Sequence, residues 1–246
     1  MFKKDFLNSI YIILLGVISS YSLPPYNYFI INFVTFSLFF IFLFNKKKEF
    51  PQNKYFFKYG WYFGFGYFLF SLYWVSISLT FDQSLKFLIP YVVILLPALL
   101  GIFYGLMTYF FSIFYSRNVI SSFFIFSILF GIIEFIRGSI FTGFPWNLIA
   151  FSFSDSNYFI QILSVIGTYS FNLFCISIFT VPAVFILRNS KKETMVCFLF
   201  VLVSVSFLLF GKIKNSDFNS AETLRNPYTI KAISSNISLD RFYSQR

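Results

Sequence analysis

Residues 87–115 read FLIPYVVILLPALLGIFYGLMTYFFSIFY, with no charged side chain between Lys86 and Arg117. About 20 apolar residues carry a helix across a bilayer, and a soluble core helix is seldom so long and so uniformly apolar. This stretch therefore decides the fold class. Working outward from it, six further runs of similar character appear: Phe6–Leu23, Tyr28–Phe44, Phe56–Leu79, Val119–Gly138, Tyr158–Leu187 and Thr194–Phe210. The expectation is an all-α polytopic membrane protein with about seven transmembrane helices, its helical bundle filling residues 1–211. The first run follows a basic start, but no small-x-small site precedes the next run, so it is expected to be a span rather than a cleaved signal.

Composition agrees. Of 246 residues, 58% are hydrophobic and 11% charged, and phenylalanine alone accounts for 42. Soluble domains carry about 25% charged residues, which this chain could not match over a water-facing surface. The net charge of +10 does not point to nucleic acid, because the basic residues lie in short clusters between apolar runs instead of on one face. Histidine is absent, which excludes a Ser-His-Asp triad, a Cys-His pair and a His-ligated metal within these residues. Cys175 and Cys197 both lie inside apolar runs and read as small buried hydrophobes, so neither a disulfide nor a metal site is expected, and no cofactor.

The connections set the orientation. Lys3, Lys4, Lys46, Lys47, Lys48, Lys54, Lys58, Arg117, Arg188, Lys191 and Lys192 occupy one set of connections, and only Lys86 the other. The positive-inside rule then predicts a cytoplasmic N-terminus. The turn at Pro24–Asn27, the loop around Asp82 and the loop Thr142–Asn157 are expected outside, and so is everything beyond Phe210. Residues 212–227 are polar and read as an extracytoplasmic linker. Tyr228–Ser238, YTIKAISSNIS, is rich in Ile, Thr and Tyr and reads as a strand. A strand needs sheet partners, so residues 228–246 are expected to begin a second domain that this chain leaves incomplete.

One stretch breaks the apolar pattern. Glu134 and Arg137 stand three apart near the outer end of the fifth run and share a helix face. Charges at membrane depth are costly and face protein or a water-filled cavity. Two readings follow, a structural ion pair or contact with a lipid head group or substrate at the outer leaflet. Gly138 then ends the helix, Gly143 permits backbone angles closed to other residues, Pro145 prevents an immediate restart, and Phe144 and Trp146 favour the interface. The loop either dips back into the outer leaflet or forms a tight turn anchored by Trp146.

Taken in order, EFIRGSIFTGFPW (Glu134–Trp146) resembles the apolipoprotein N-acyltransferase family. SYSLPPYN (Ser20–Asn27), GWYFGFGYFLFSLYWVSIS (Gly60–Ser78), GTYSFNLF (Gly167–Phe174, with Asn172) and IKAISSNISLDRFYS (Ile230–Ser244) are similar to further parts of it in the same order. The resemblance implies a bacterial inner-membrane enzyme with an extracytoplasmic nitrilase-like domain bearing a Glu-Lys-Cys triad. There, a thiolate would accept an acyl chain from a phospholipid donor and pass it to the diacylglyceryl-cysteine amine of a lipoprotein acceptor. This chain departs from that pattern. It resembles the membrane half plus the first strand of the catalytic half, so no catalytic residue is assigned and the chain alone is expected to be inactive. Glu134, Arg137, Gly143, Phe144, Pro145 and Trp146 are expected to shape a lipid entrance. The alternative is a non-enzymatic membrane scaffold or small transporter, with Glu134, Arg137, Pro90, Pro97 and Pro182 lining a path as interrupted helices do in transporters.

Overall fold

A computed structural model of the chain describes residues 2–50, 52–140, 143, 145–220, 231 and 233. They form helices α1 (Phe2–Ser20), α2 (Ile30–Glu49), α3 (Phe56–Leu72), α4 (Ile89–Phe114), α5 (Val119–Ser139), α6 (Leu163–Ile166), α7 (Thr168–Ile186) and α8 (Lys191–Ser220), joined by short 3-10 segments. Six membrane-length apolar helical segments occur among the described residues, and Asp5–Ser20 is a shorter apolar helix. The chain is an all-α polytopic membrane protein.

Local chemistry sets the ends of these helices. Lys46, Lys47 and Lys48 lie in the last turn of α2, where cations oppose the negative helix end. The Asn118 side chain caps α5 by accepting from Ser121 N at 3.0 Å. Pro90 stands in the first turn of α4, where its missing N–H costs nothing.

The helices run up and down between a basic end and a far end. Phe111 meets Phe126 and Tyr104 meets Phe130, which fixes α4 antiparallel to α5. Cys197 Sγ donates to Val181 O while Phe174 packs on Phe207, which does the same for α7 and α8. Both cysteines are buried and unpaired by disulfide. The interior is largely aromatic. Phe36, Phe39, Phe40, Phe63, Tyr104, Phe111, Phe126 and Phe130 are all fully buried. Phe39 and Phe63 stack nearly parallel, with centroids 4.3 Å apart.

In lipid, helices associate by packing rather than by a hydrophobic drive, and small residues allow close approach. Here Gly60 and Gly64 of α3 face Gly101 and Gly105 of α4, each pair four residues apart. A Cβ at Gly60 would fall onto the Tyr104 carbonyl, 2.6 Å from its carbon, and one at Gly64 would lie 3.0 Å from Gly101 Cα.

Three sequence expectations change. The sixth run, Tyr158–Leu187, is not one helix: it breaks at Gly167, whose φ of 76° only glycine adopts without strain, and α7 starts after it. The third run loosens from α-helix into a 3-10 segment over Tyr73–Thr80. The seventh runs on to Ser220, so the first part of the segment read as linker is helical. Lys212–Ser220 contains neither Gly nor Pro, and nothing local stops the helix. The strand expected at 228–238 lies outside the described residues apart from Lys231 and Ile233, which are in neither helix nor strand.

The expected orientation has a direct check. In a background without Cys175 and Cys197, a cysteine at exposed Ser154 should react with an impermeant maleimide on intact cells, and one at exposed Lys48 only after permeabilisation. The opposite pattern would reverse the placement of both ends.

Candidate functional site

At the far end, the carboxylate of Glu134 and the guanidinium of Arg137 meet as the fork-to-fork pair that planar groups allow. Nε donates to Oε1 at 3.0 Å and Nη2 to Oε2 at 2.8 Å. Both residues are sealed from solvent, with exposures of 0% and 1%. Of the two sequence readings, the ion pair is therefore the one observed. The guanidinium also lies 5.2 Å over the Phe68 ring, and Nη1 donates to the Trp146 carbonyl at 3.0 Å. Arg137 thus reaches from the end of α5 to hold the loop that follows it.

That loop is shaped by two residues in the left-handed region. Gly143 has a φ of 80° and its N–H donates to Ile140 O at 3.0 Å, while a Cβ there would lie 2.9 Å from Gly138 O. Asn147 has a φ of 59°, which asparagine tolerates better than most residues. Its Nδ2 donates to Ser71 O at 3.0 Å and its carbonyl accepts from Tyr67 OH at 2.9 Å. The loop is therefore pinned to α3 as well as to α5.

Pinned this way, Trp146 stacks on Trp74 with ring centroids 5.3 Å apart and planes 24° from parallel. Each indole remains 44% exposed. The pair borders a groove of about 370 Å³ lined also by Leu23, Pro24, Ser71, Asn147, Phe151 and Ser154. This lies within the size range of small-ligand sites, and its walls combine aromatic faces with a few polar groups. The Ser71 hydroxyl is buried without a hydrogen-bond partner among the described residues. Below the loop, fully buried Asn172 accepts from Ala150 N at 2.9 Å and ties the 3-10 segment Ile149–Phe153 to α7.

The expected site residues divide. Pro145 and Trp146 are exposed at the rim, and Gly143 turns the loop beneath them. Glu134 and Arg137 lie buried beneath the rim, with Arg137 bonded to the Trp146 carbonyl. Phe144 and Thr142 lie outside the described residues. Sequence reasoning did not single out Tyr67, Ser71 or Asn147, and it held Trp74 only as part of the stretch that resembles the family, Gly60–Ser78. Asn147 carried the one local signal, an asparagine directly after Pro-Trp where a left-handed turn residue fits. The prolines offered for a transport path do not interrupt their helices: Pro97 and Pro182 lie within α4 and α7.

A family profile described as the apolipoprotein N-acyltransferase N-terminal domain matches residues 15–181, which include α5, its loop and most of α7. The chain belongs to the apolipoprotein N-acyltransferase family. Relatives agree with that placement. A protein of Rhizobium rhizogenes named apolipoprotein N-acyltransferase is 29% identical over 213 residues, 84% of this chain and 39% of the relative. One of Rickettsia typhi with the same name is 31% identical over 204 residues, 82% of this chain and 40% of the relative. One of Rickettsia bellii is 37% identical over 139 residues, 56% of this chain and 27% of the relative. The chain thus spans about two fifths or less of the length of these curated relatives.

Proposed function

We propose that this chain is the membrane portion of an enzyme that moves an acyl chain from a phospholipid to the N-terminal diacylglyceryl-cysteine of lipoproteins. Acyl chains would reach the enzyme through the groove beside Trp146. The basic end faces the cytoplasm of a bacterial inner membrane on this reading, and the Trp146 rim faces the extracytoplasmic leaflet. Residues 212–227 then lead to a nitrilase-like domain beginning near residue 228.

The observation that carries the proposal is the exposed, braced indole pair in a chain of this family. Two stacked tryptophans at the end of a membrane bundle suit a boundary where one side is apolar and the other wet. A phospholipid presents both kinds of surface. The chemistry would proceed elsewhere: a thiolate attacks the donor's ester carbonyl and releases the lysophospholipid, then the acceptor amine attacks the thioester and the thiolate leaves. Cys175 and Cys197 are not assigned that role, because both are small side chains buried inside the bundle.

The test uses a full-length relative. Alanine in place of the tryptophans matching Trp74 and Trp146 should slow thioester formation from vesicle phospholipid about tenfold, equivalent to losing roughly 1.4 kcal/mol of aromatic contact. Unchanged rates in a normally expressed double variant would reject the entrance. No observation favours the scaffold or transporter alternative, since the buried charges satisfy each other and the prolines leave their helices continuous.

A further inference from the structure

The basic end carries a second concavity, apart from the Trp146 groove. It measures about 310 Å³ and lies where the start of α1, the end of α2 and the start of α3 converge. Lys46 and Lys58 supply cations to it, Phe50 and Tyr55 apolar surface, and Asp5 and Gln52 hydrogen-bond acceptors.

Topology alone explains why lysines gather at this end, but it requires only that they sit in water. Lys46 does not. Its side chain keeps 10% of its exposure, and its carboxylate partner is Glu49 at 3.5 Å, one turn away and 56% exposed. Drawing an ammonium inward costs free energy unless an anion compensates, and an exposed partner at that distance compensates weakly. Lys58 has no carboxylate within ion-pair distance among the described residues and instead lies 5.5 Å from the Tyr55 ring and 5.2 Å from the Tyr59 ring. Outside the lining, Lys47 lies over the ring of Phe56 and Lys54 over that of Tyr55, both rings of the cavity wall. The lining itself thus holds two lysines, Lys46 and Lys58, and one carboxylate, Asp5. Phe50 and Tyr55 remain exposed beside them.

We propose that this cavity binds one anionic phospholipid, with the phosphate between Lys46 and Lys58 and the upper acyl chain against Phe50 and Tyr55. Asp5 and Gln52 then accept hydrogen bonds from head-group hydroxyls, which favours a glycerol-type head group. Cations above aromatic surface match a molecule that is charged at one end and apolar below it, as basic pockets at the cytoplasmic ends of helices do elsewhere. The site is independent of acyl transfer and of the Trp146 groove.

Native mass spectrometry on the full chain in neutral detergent tests it, with phosphatidylglycerol and phosphatidylcholine of the same acyl composition. One phosphatidylglycerol should be retained at least about tenfold more tightly than phosphatidylcholine. Lys46→Gln with Lys58→Gln should weaken phosphatidylglycerol about 25-fold, roughly fivefold per lysine. Lys46→Arg with Lys58→Arg should hold it, and Lys191→Gln with Lys192→Gln, at the same end but outside the cavity, should leave it unchanged. Equal retention of the two lipids by the wild-type chain would overturn the proposal, as would an equal loss in the Lys191/Lys192 variant. Displacement by millimolar inorganic phosphate would identify a free-anion site instead and overturn it too. The wild-type and phosphate measurements decide the matter even if the glutamine variant does not fold.

Discussion

Arg137→Met is expected to destabilise the bundle by about 3–5 kcal/mol, because it leaves the Glu134 carboxylate buried and uncompensated. Glu134 is fully buried and its two oxygens are both engaged by this one guanidinium. Removing both charges, as Glu134→Leu with Arg137→Met, should restore most of the loss, since a buried pair is often no better than apolar residues of similar volume. Folding and loop position should separate in that double variant. Nη1 of Arg137 also holds the Trp146 carbonyl, so the restored bundle should still lack the ordered Trp74–Trp146 stack. Thermal unfolding in detergent reads the first effect and the near-ultraviolet circular dichroism of the indoles reads the second. A double variant with full stability and an intact indole signal would show that the pair does not brace the loop.

Gly60→Ala is expected to cost at least about 3 kcal/mol, at the upper end of what overpacking usually exacts. The added methyl would run into the Tyr104 carbonyl, which belongs to a helix backbone and cannot turn aside. Gly101→Ala should be milder. Its methyl would meet Phe65 N and Trp61 O at 3.2 Å, where a shift of a few tenths of an ångström suffices. The midpoint of unfolding in sodium dodecyl sulfate should therefore fall further for Gly60→Ala than for Gly101→Ala. Equal effects would mean that α3 and α4 can slide apart freely at this crossing.

Much of this was open to reading in the chain itself, and the remainder follows from distance along it. The run from Phe87 to Tyr115 needs no partner to be recognised, because a bilayer rewards apolar length directly, and α4 occupies Ile89–Phe114. Glu134 and Arg137 were legible as a pair because a helix turn brings residues three apart together. Gly167 was not legible as a break, since a lone glycine among apolar residues fits a membrane helix equally well. The glycine spacing shared by Gly60, Gly64, Gly101 and Gly105 was present in the residues, yet only the packed helices show that the two sets face each other. Trp74 and Trp146 are 72 positions apart, and Tyr67 reaches Asn147 across 80. No local rule joins such residues. Only the antiparallel packing of α3, α4 and α5 brings them to one rim.

The central claim is that acyl chains gather at that rim, and photolabelling addresses it most directly. Membranes holding the chain would be prepared with a phospholipid that carries a diazirine within its acyl chain, then irradiated, digested and mapped. Labelling should concentrate on residues 145–154 and 71–74, above the level seen at Leu99 of α4 and Phe198 of α8, which are exposed apolar positions outside the groove. Labelling at the rim no greater than at Leu99 and Phe198 would mean that the Trp146 groove is ordinary lipid-facing surface, and would contradict the account.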